Sequence, residues 1–341
     1  MQTTGRVFVA ILICLAALTD DASAQLRGQF AGTQVIWNRA PINRDTDIVR
    51  WQDRWYVVCC EMSEEFAGNV ALRILSSNDG KEWAPVARLE RPVPKLSYRF
   101  DPAFTVLPNG ALQVTALGMQ TLSWTTRDGK TWSSPELTLP KDHEFSQDAW
   151  HDGSVLRYAH GTHDGNSSTV QFFTGKGTEP LTSVYEETFD FIPDDAALIF
   201  DGDRAHCVMS RQAKNPIPQD KSLGRQFQLG LLGTAEKPFT NWQWKPIRSP
   251  LSVPRVIRMS DGRVVAAVGL SHKKDTITLG ELDLSSGVLR EFLDIPISLE
   301  RLIQASYHRQ IVGLAENNGQ LWVTYHASHE GKLAVHLAKV E

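Results

Sequence analysis

Short apolar runs alternate with turn signals along almost the whole chain, and helical periodicity is nearly absent. Trp55–Cys60 (WYVVCC), Ala71–Ser76 (ALRILS), Ala111–Leu117 (ALQVTAL), Val264–Val268 (VVAAV) and Leu321–Tyr325 (LWVTY) are rich in β-branched and aromatic residues. Such residues suit the pleated, packed surface of a sheet. Pro108-Asn109-Gly110, Asp152-Gly153, Asp201-Gly202-Asp203, Asp261-Gly262 and Asn317-Asn318-Gly319 each separate two apolar runs. Asn, Asp and Gly tolerate positive φ, so each pair of runs reads as a hairpin.

The hairpins recur every ~40 to 60 residues, as Asp47–Cys60, Asp101–Leu117, Asp148–Ala159, Ala196–Met209, Val256–Val268 and Gln310–Tyr325. Each leaves room for a further pair of strands. Repeats of this kind predict an all-β fold, a six-bladed β-propeller in which every blade buries its faces against its neighbours. A β-sandwich is the competing arrangement, but one sandwich rarely needs so many strands.

The N-terminal residues follow a different rule. Arg6 precedes the apolar stretch Val7–Thr19, and Ala22-Ser23-Ala24 supplies the small residues of a cleavage site. The apolar run is about 13 residues, short of the roughly 20 that span a bilayer. Residues 1–24 are therefore expected to be a secretion signal peptide rather than an anchor. Residues 25–341 would then be a single propeller domain, secreted or periplasmic, with no membrane span after cleavage.

Composition changes this picture little. The formal net charge is −4 and no basic stripe is present, which argues against nucleic acid as a partner. Ten Trp and 14 Phe suit a β-rich core and also sugar-stacking surfaces. Cys14 leaves with the signal, and Cys59, Cys60 and Cys207 remain. Neighbours on a strand point to opposite faces, so at most one of Cys59 and Cys60 could pair with Cys207, and buried free thiols are expected. No ligand spacing calls for zinc and no loop motif for calcium, so no cofactor is expected. Oligomeric state is not legible.

Two segments align residue for residue. Ser76-Ser77-Asn78-Asp79-Gly80-Lys81-Glu82-Trp83 and Thr125-Thr126-Arg127-Asp128-Gly129-Lys130-Thr131-Trp132 share a leading hydroxyl residue, a central Asp-Gly-Lys and a final Trp. They resemble the Asp-box of sialidases, Ser/Thr-x-Asp-x-Gly-x-Thr-Trp, although the usual Asp position holds Asn78 and Arg127. Thr240-Asn241-Trp242 and the Gly175–Pro180 turn sit where further, degraded boxes are expected. Tyr98-Arg99-Phe100-Asp101-Pro102, Leu107-Pro108-Asn109-Gly110 and Ser328-His329-Glu330-Gly331-Lys332 are similar to segments of bacterial exported exo-α-sialidase-like proteins. The resemblance spans roughly Asp47 to Val340. It implies a sialidase-type propeller, with the boxes structural and away from the active face.

In a propeller the innermost strands all start at one end of the central channel, so polar residues there converge. Those positions carry Arg44, Asp45 and Asp47; Arg99 and Asp101; Gln147 and Asp148; Asp194 and Asp195; Arg255; and Tyr307 with His308. The returning second strands end at Glu61, His160 or His163, Arg211, His272, and His326 or His329. Any two of Asp101, Asp148 and Asp195 at suitable separation could hydrolyse a glycosidic bond. The resemblance implies further roles. Arg99, Arg211 and Arg255 would clamp a sugar carboxylate, and Asp47 or Asp101 would be acid/base. Tyr307 would be the nucleophile, with Glu300 or Glu330 to activate it. His329 and Glu330 in the closing segment would line the substrate. The Phe/Tyr-Arg-Ile-Pro segment that supplies the first sialidase arginine is absent from the N-terminal region. The expected function is an exported sialidase-like glycoside hydrolase acting on an acidic or polar glycan or glycoconjugate. A non-catalytic carbohydrate- or protein-binding propeller is the alternative. A five-bladed furanosidase with three carboxylates is a third arrangement, against which the six hairpins count.

Overall fold

Each expected hairpin is an antiparallel strand pair. The computed structural model describes residues 28–63, 70–90, 101–117, 121–137, 144–163, 167–176, 180–212, 229–270, 273, 275–297 and 311–341. Among these the elements are all strands, and no helix is long and apolar enough to cross a membrane.

Strand β1 (Phe30–Trp37) comes first in sequence and joins the ladder of the last unit. The chain then runs as antiparallel meanders. β2 (Ile42–Trp51), β3 (Arg54–Met62), β4 (Val70–Ser77) and β5 (Ala84–Glu90) form the first. β6 (Asp101–Val106), β7 (Leu112–Leu117), β8 (Leu122–Thr126) and β9 (Glu136–Leu137) form the second. β10 (Glu144–His151), β11 (Ser154–His163), β12 (Ser167–Lys176) and β13 (Thr182–Phe189) form the third. The fourth is β14 (Ile192–Asp201), β15 (Arg204–Gln212), β16 (Leu229–Glu236) and the first half of β17 (Gln243–Arg258). The second half of β17 opens the fifth, pairing with β18 (Val264–Leu270), followed by β19 (Thr276–Asp283) and β20 (Val288–Pro296). Last come β21 (Gly313–Asn317), β22 (Gln320–His329) and β23 (Lys332–Val340), and β1 completes this ladder by pairing with β23. By hydrogen bonding the strands make sheets of eight, four, seven and four, because β17 is shared and a parallel bridge, Ile42↔Leu333, joins the first and last units.

The inner strands touch in cyclic order: β2 meets β6, β6 meets β10, β10 meets β14, β14 meets β17, β17 meets β21, and β21 meets β2. This closed ring is a propeller. The approach of β21 to β2 needs Gly313, where a Cβ would lie 2.6 Å from the Ile48 nitrogen and 2.7 Å from the Asp47 Cα.

The cores lie between units, which explains the unbroken apolar run of β3. Tyr56, Val58 and Cys60 pack towards the second unit with Leu112, Val114 and Trp124. Trp55, Val57 and Cys59 pack the other way, with Trp322 and Leu337 of the last unit. A strand buried on both faces needs apolar residues at every position, and each fully buried Val or Leu contributes about 1.5–3 kcal/mol. Cys59, Cys60 and Cys207 are buried and unlinked.

The two aligned segments form matching turns, shifted by one residue from the expected box. Ser77 Oγ accepts from Gly80 N–H (2.8 Å), and Asp79 Oδ1 accepts from Lys81 N–H (2.8 Å). Thr126 Oγ1 accepts from Gly129 N–H (2.9 Å), and Asp128 Oδ1 accepts from Lys130 and Thr131 N–H (2.8 and 2.7 Å). The second residue of each hydroxyl pair does the bonding, and these backbone bonds hold both carboxyls below the usual carboxylate range. Both turns grip the preceding unit. A Cβ on Gly80 would meet the Trp322 ring at 2.0 Å, and one on Gly129 would meet the Tyr56 hydroxyl at 2.1 Å.

At the same end, the hairpin turns bond around the ring. Trp51 Nε1 donates to Gly110 O (2.9 Å), Arg50 Nη1 to Asn317 Oδ1 (3.2 Å), and Ser260 N–H to Glu316 Oε2 (2.6 Å). Arg258 pairs with Asp201 at 3.1 Å. This end is knitted together; the opposite end carries the inner-strand starts.

Gly129 has φ +69 as well as the Tyr56 contact. Gly129→Ala is expected to destabilise by ~2–3 kcal/mol, through left-handed backbone strain and overpacking. Urea denaturation would test this, and an unchanged midpoint would contradict the inter-unit grip.

Candidate functional site

Four of the six inner strands share a distortion near their starting end. Register breaks between Arg44 and Thr46 in β2, Phe145 and Gln147 in β10, Pro193 and Ala196 in β14, and Ser252 and Arg255 in β17. Two of the extra residues, Asp45 (φ 47) and Val253 (φ 45), are left-handed. Bulges of this kind bend a strand and re-aim its side chains. They place Asp45, Asp194, Asp195 and Arg255 around one end of the ring.

Among the predicted residues Asp47 is a perturbed carboxyl, and Arg255 is the charge that acts on it. Asp47 Oδ1 accepts from Ile48 N–H (2.9 Å) and Oδ2 from Phe104 N–H of β6 (2.6 Å). Burial nevertheless pushes the Asp47 carboxyl up to about 6, with the Arg255 charge and the two amides opposing the rise. Arg255 is 7% exposed. β21 stands between β2 and β17 in the ring of inner strands, so this charge acts on Asp47 from a different unit.

A second cluster joins the first, second and last units. Arg44 Nε lies 3.1 Å from Asp45 Oδ2. Asp45 above all, and Asp101 further off, hold the guanidinium above its ordinary value against the effect of burial. The buried Cys60 lies beneath, its thiol pushed up by burial and by Asp45. The Asp45 N–H, turned out of the β2–β3 ladder by the bulge, donates to His326 Nδ1 of β22 (3.2 Å). Thr46 ties the same seam, donating its N–H to Ile311 O (3.2 Å) and its hydroxyl to Thr324 Oγ1 (3.0 Å).

Other predicted residues are engaged locally. Asp148 is held in a fork by Arg157, whose Nε donates to Oδ1 at 2.5 Å and whose Nη2 bonds Oδ2. Asp194 and Asp195 are buried, and their carbonyls accept from Tyr158 OH (3.3 Å) and Ser210 Oγ (3.0 Å). Arg211 bonds the Leu229 carbonyl and lies 5.2 Å over the Phe191 ring, and burial lowers its guanidinium. His329 and Glu330 sit 3.9 Å apart at the β22–β23 turn, where Glu330 is left-handed. Glu61 is saturated: Trp37 Nε1 donates at 2.8 Å, Arg73 at 3.0 and 3.1 Å, and Arg88 at 3.3 Å. It therefore fastens β1 and β3–β5 together. The His160 ring lies 5.9 Å from that of Tyr158. Arg99, His272, Glu300, Tyr307 and His308 lie outside the described residues, as do the side chains of Gln147 and His163.

Arg157 is the clearest residue that sequence reading missed. It stands alone in the apolar run of β11, and counting outward from the Asp152-Gly153 turn puts it opposite Asp148. Among the described residues, His151, Asp152 and Asp203 could converge on a metal ion. Lys237 already pairs with both carboxylates there, at 3.2 and 3.0 Å.

Asp47 makes stability depend on pH in a definite direction. Its carboxyl titrates near 6 in the fold and near 3.9 when unfolded. The folded state therefore holds the proton more tightly. The favourable contribution is complete below pH ~4, falls as pH rises towards 6, and is gone above it, a loss of up to about 3 kcal/mol. Asp47→Asn should flatten this component, seen as a smaller difference in urea stability between pH 4 and pH 7. Equal pH dependence in both proteins would show that Asp47 does not titrate in this window.

No protein-family model matches the chain, and no curated relative does. Solved structures do match. A protein of unknown function from Dyadobacter fermentans superposes with a TM-score of 0.71 at 11% identity, over 92% of this chain and 99% of that one. An α-L-arabinofuranosidase of Fusarium graminearum, solved with arabinobiose, gives 0.63 at 15% identity, over 92% and 98%. A Trypanosoma rangeli sialidase gives 0.64 at 10% identity, over 88% of this chain and 55% of that one. At these identities the likeness is one of fold: the chain is an all-β, sialidase-like propeller of the kind these glycosidases also adopt.

Proposed function

We propose that residues 25–341 are a single six-bladed propeller, exported after loss of residues 1–24, that acts as a glycoside hydrolase on an acidic or polar glycan. The blade count is supported by the successive meanders and by the shared strand β17, which serves as the outer strand of one and the inner strand of the next. The observation that carries the reading is Asp47, a carboxyl raised to about 6 that accepts the Phe104 N–H and feels the charge of the buried Arg255. Glycoside cleavage needs an acid that still holds its proton near neutral pH to protonate the leaving oxygen. Burial supplies such an acid here, and Arg255 supplies a fixed positive charge for a polar or anionic substituent. Asp101, close enough to influence Arg44, is the second carboxyl at this end. The neighbours solved with arabinobiose make arabinofuranosides as reasonable a substrate class as sialosides.

The alternative, a propeller that binds glycan without cleaving it, is favoured by one observation. Two inner-strand carboxylates are already neutralised, Asp148 by Arg157 and Asp45 by Arg44.

A screen of aryl glycosides, including an α-L-arabinofuranoside and an α-sialoside, distinguishes the two. The hydrolase reading expects turnover that falls as pH rises through about 6. It also expects a loss of roughly 10²-fold or more in Asp47→Asn. Arg255→Ala, which removes the charge that lowers Asp47, should move the pH limb upward. Glycan binding without turnover on any substrate would favour the second reading.

A further inference from the structure

We propose that His326, through its neutral ring, is the positioning residue that locks the β2 bulge and so presents Arg44 and Asp45 at the inner-strand starts. Asp45 is left-handed at φ 47, a region uncommon for residues other than glycine, though Asp enters it more readily than most. Its N–H has left the β2–β3 ladder, since register resumes at Thr46↔Cys59. A buried amide without an acceptor forfeits its hydration with nothing in return. His326 Nδ1 supplies that acceptor from another unit at 3.2 Å. The ring can accept there only with its proton on Nε2 and its charge zero.

Protonation would turn Nδ1 into a donor aimed at a donor. The bulge would then have to relax, carrying the Arg44–Asp45 pair with it. The groups facing the ring set how readily this happens. From β2, Asp45 favours the charged ring and Arg44 opposes it; from β23, His336 also opposes it; burial, the largest influence, adds to that opposition and lowers His326 to about 4. His336 itself stacks on Tyr325 at 5.2 Å and lies 6.2 Å from His329. Asp101 and Cys60 act on the same pair from the Arg44 side. The lock therefore holds at neutral pH and releases as pH falls through about 4. The bulge geometry stands by itself; its meaning for substrate rests on the glycan reading above.

The test needs no substrate, so its failure is separate from failure of that reading. The protein labelled with ¹⁵N at histidine is titrated by NMR, and deuterium exchange is followed over residues 43–47. His326 should show the Nε2–H neutral tautomer from pH 7 down to about 5. His326→Asn places an amide oxygen where Nδ1 stood and should keep the Asp45 amide protected, relative to its intrinsic exchange rate, even below pH 5. His326→Leu should speed exchange at the Asp45 amide about tenfold or more at every pH, as loss of a net hydrogen bond would. An Nδ1–H tautomer in the wild type would overturn the proposal. So would protection of the Asp45 amide, relative to its intrinsic exchange rate, that falls with acid in His326→Asn as it does in the wild type. These two readouts decide the matter even if His326→Leu does not fold.

Discussion

An inner strand of a propeller has a free edge, and the amides on that edge must find acceptors away from water. β2 meets the demand on both flanks. Asp47 accepts the Phe104 N–H of the next inner strand, while Thr46 gives its own N–H to Ile311 and its hydroxyl to Thr324 on the preceding side. Two consecutive residues thus rivet the first unit to both neighbours. Gly313 allows the approach that makes the second of these contacts possible, and β1 completes the last ladder. Without this closure the remaining units would be open sheets with exposed edges.

The candidate chemistry arises from the same closure. A carboxylate recruited to cap an amide of a neighbouring strand must be buried, and burial without full charge compensation raises its pKa. Asp47 is therefore both fastener and acid candidate, and the two roles have one cause. Arg255 moderates the rise without cancelling it. Asp148 shows the contrasting case: a guanidinium on the adjacent strand takes both carboxylate oxygens.

Features set by local chemistry were legible in the chain. The hairpins follow from Asn, Asp and Gly at turns, and the opposite burial of Cys59 and Cys60 follows from the pleat. Features set by register or by distant partners were not. Ser76-Ser77 and Thr125-Thr126 offer two hydroxyls each, and only the folded turn selects the second. β17 contains Pro246, Pro250 and Pro254, none of which can donate to a ladder, yet it runs unbroken because its two halves pair with different partners. The Asp47–Phe104 and Asp45–His326 bonds join residues far apart in sequence, so no periodicity announces them.

The buried thiols carry one more consequence. Only a thiolate attacks a disulfide or an alkylating reagent, and burial pushes Cys59, Cys60 and Cys207 well away from that form. Cys59 and Cys60 look into the two interfaces of the first unit, and Cys207 sits in the core shared by the third and fourth. Each sulfur is silent while its interface stays shut. Their labelling rates form a set of independent clocks for how often, and between which blades, the ring breathes.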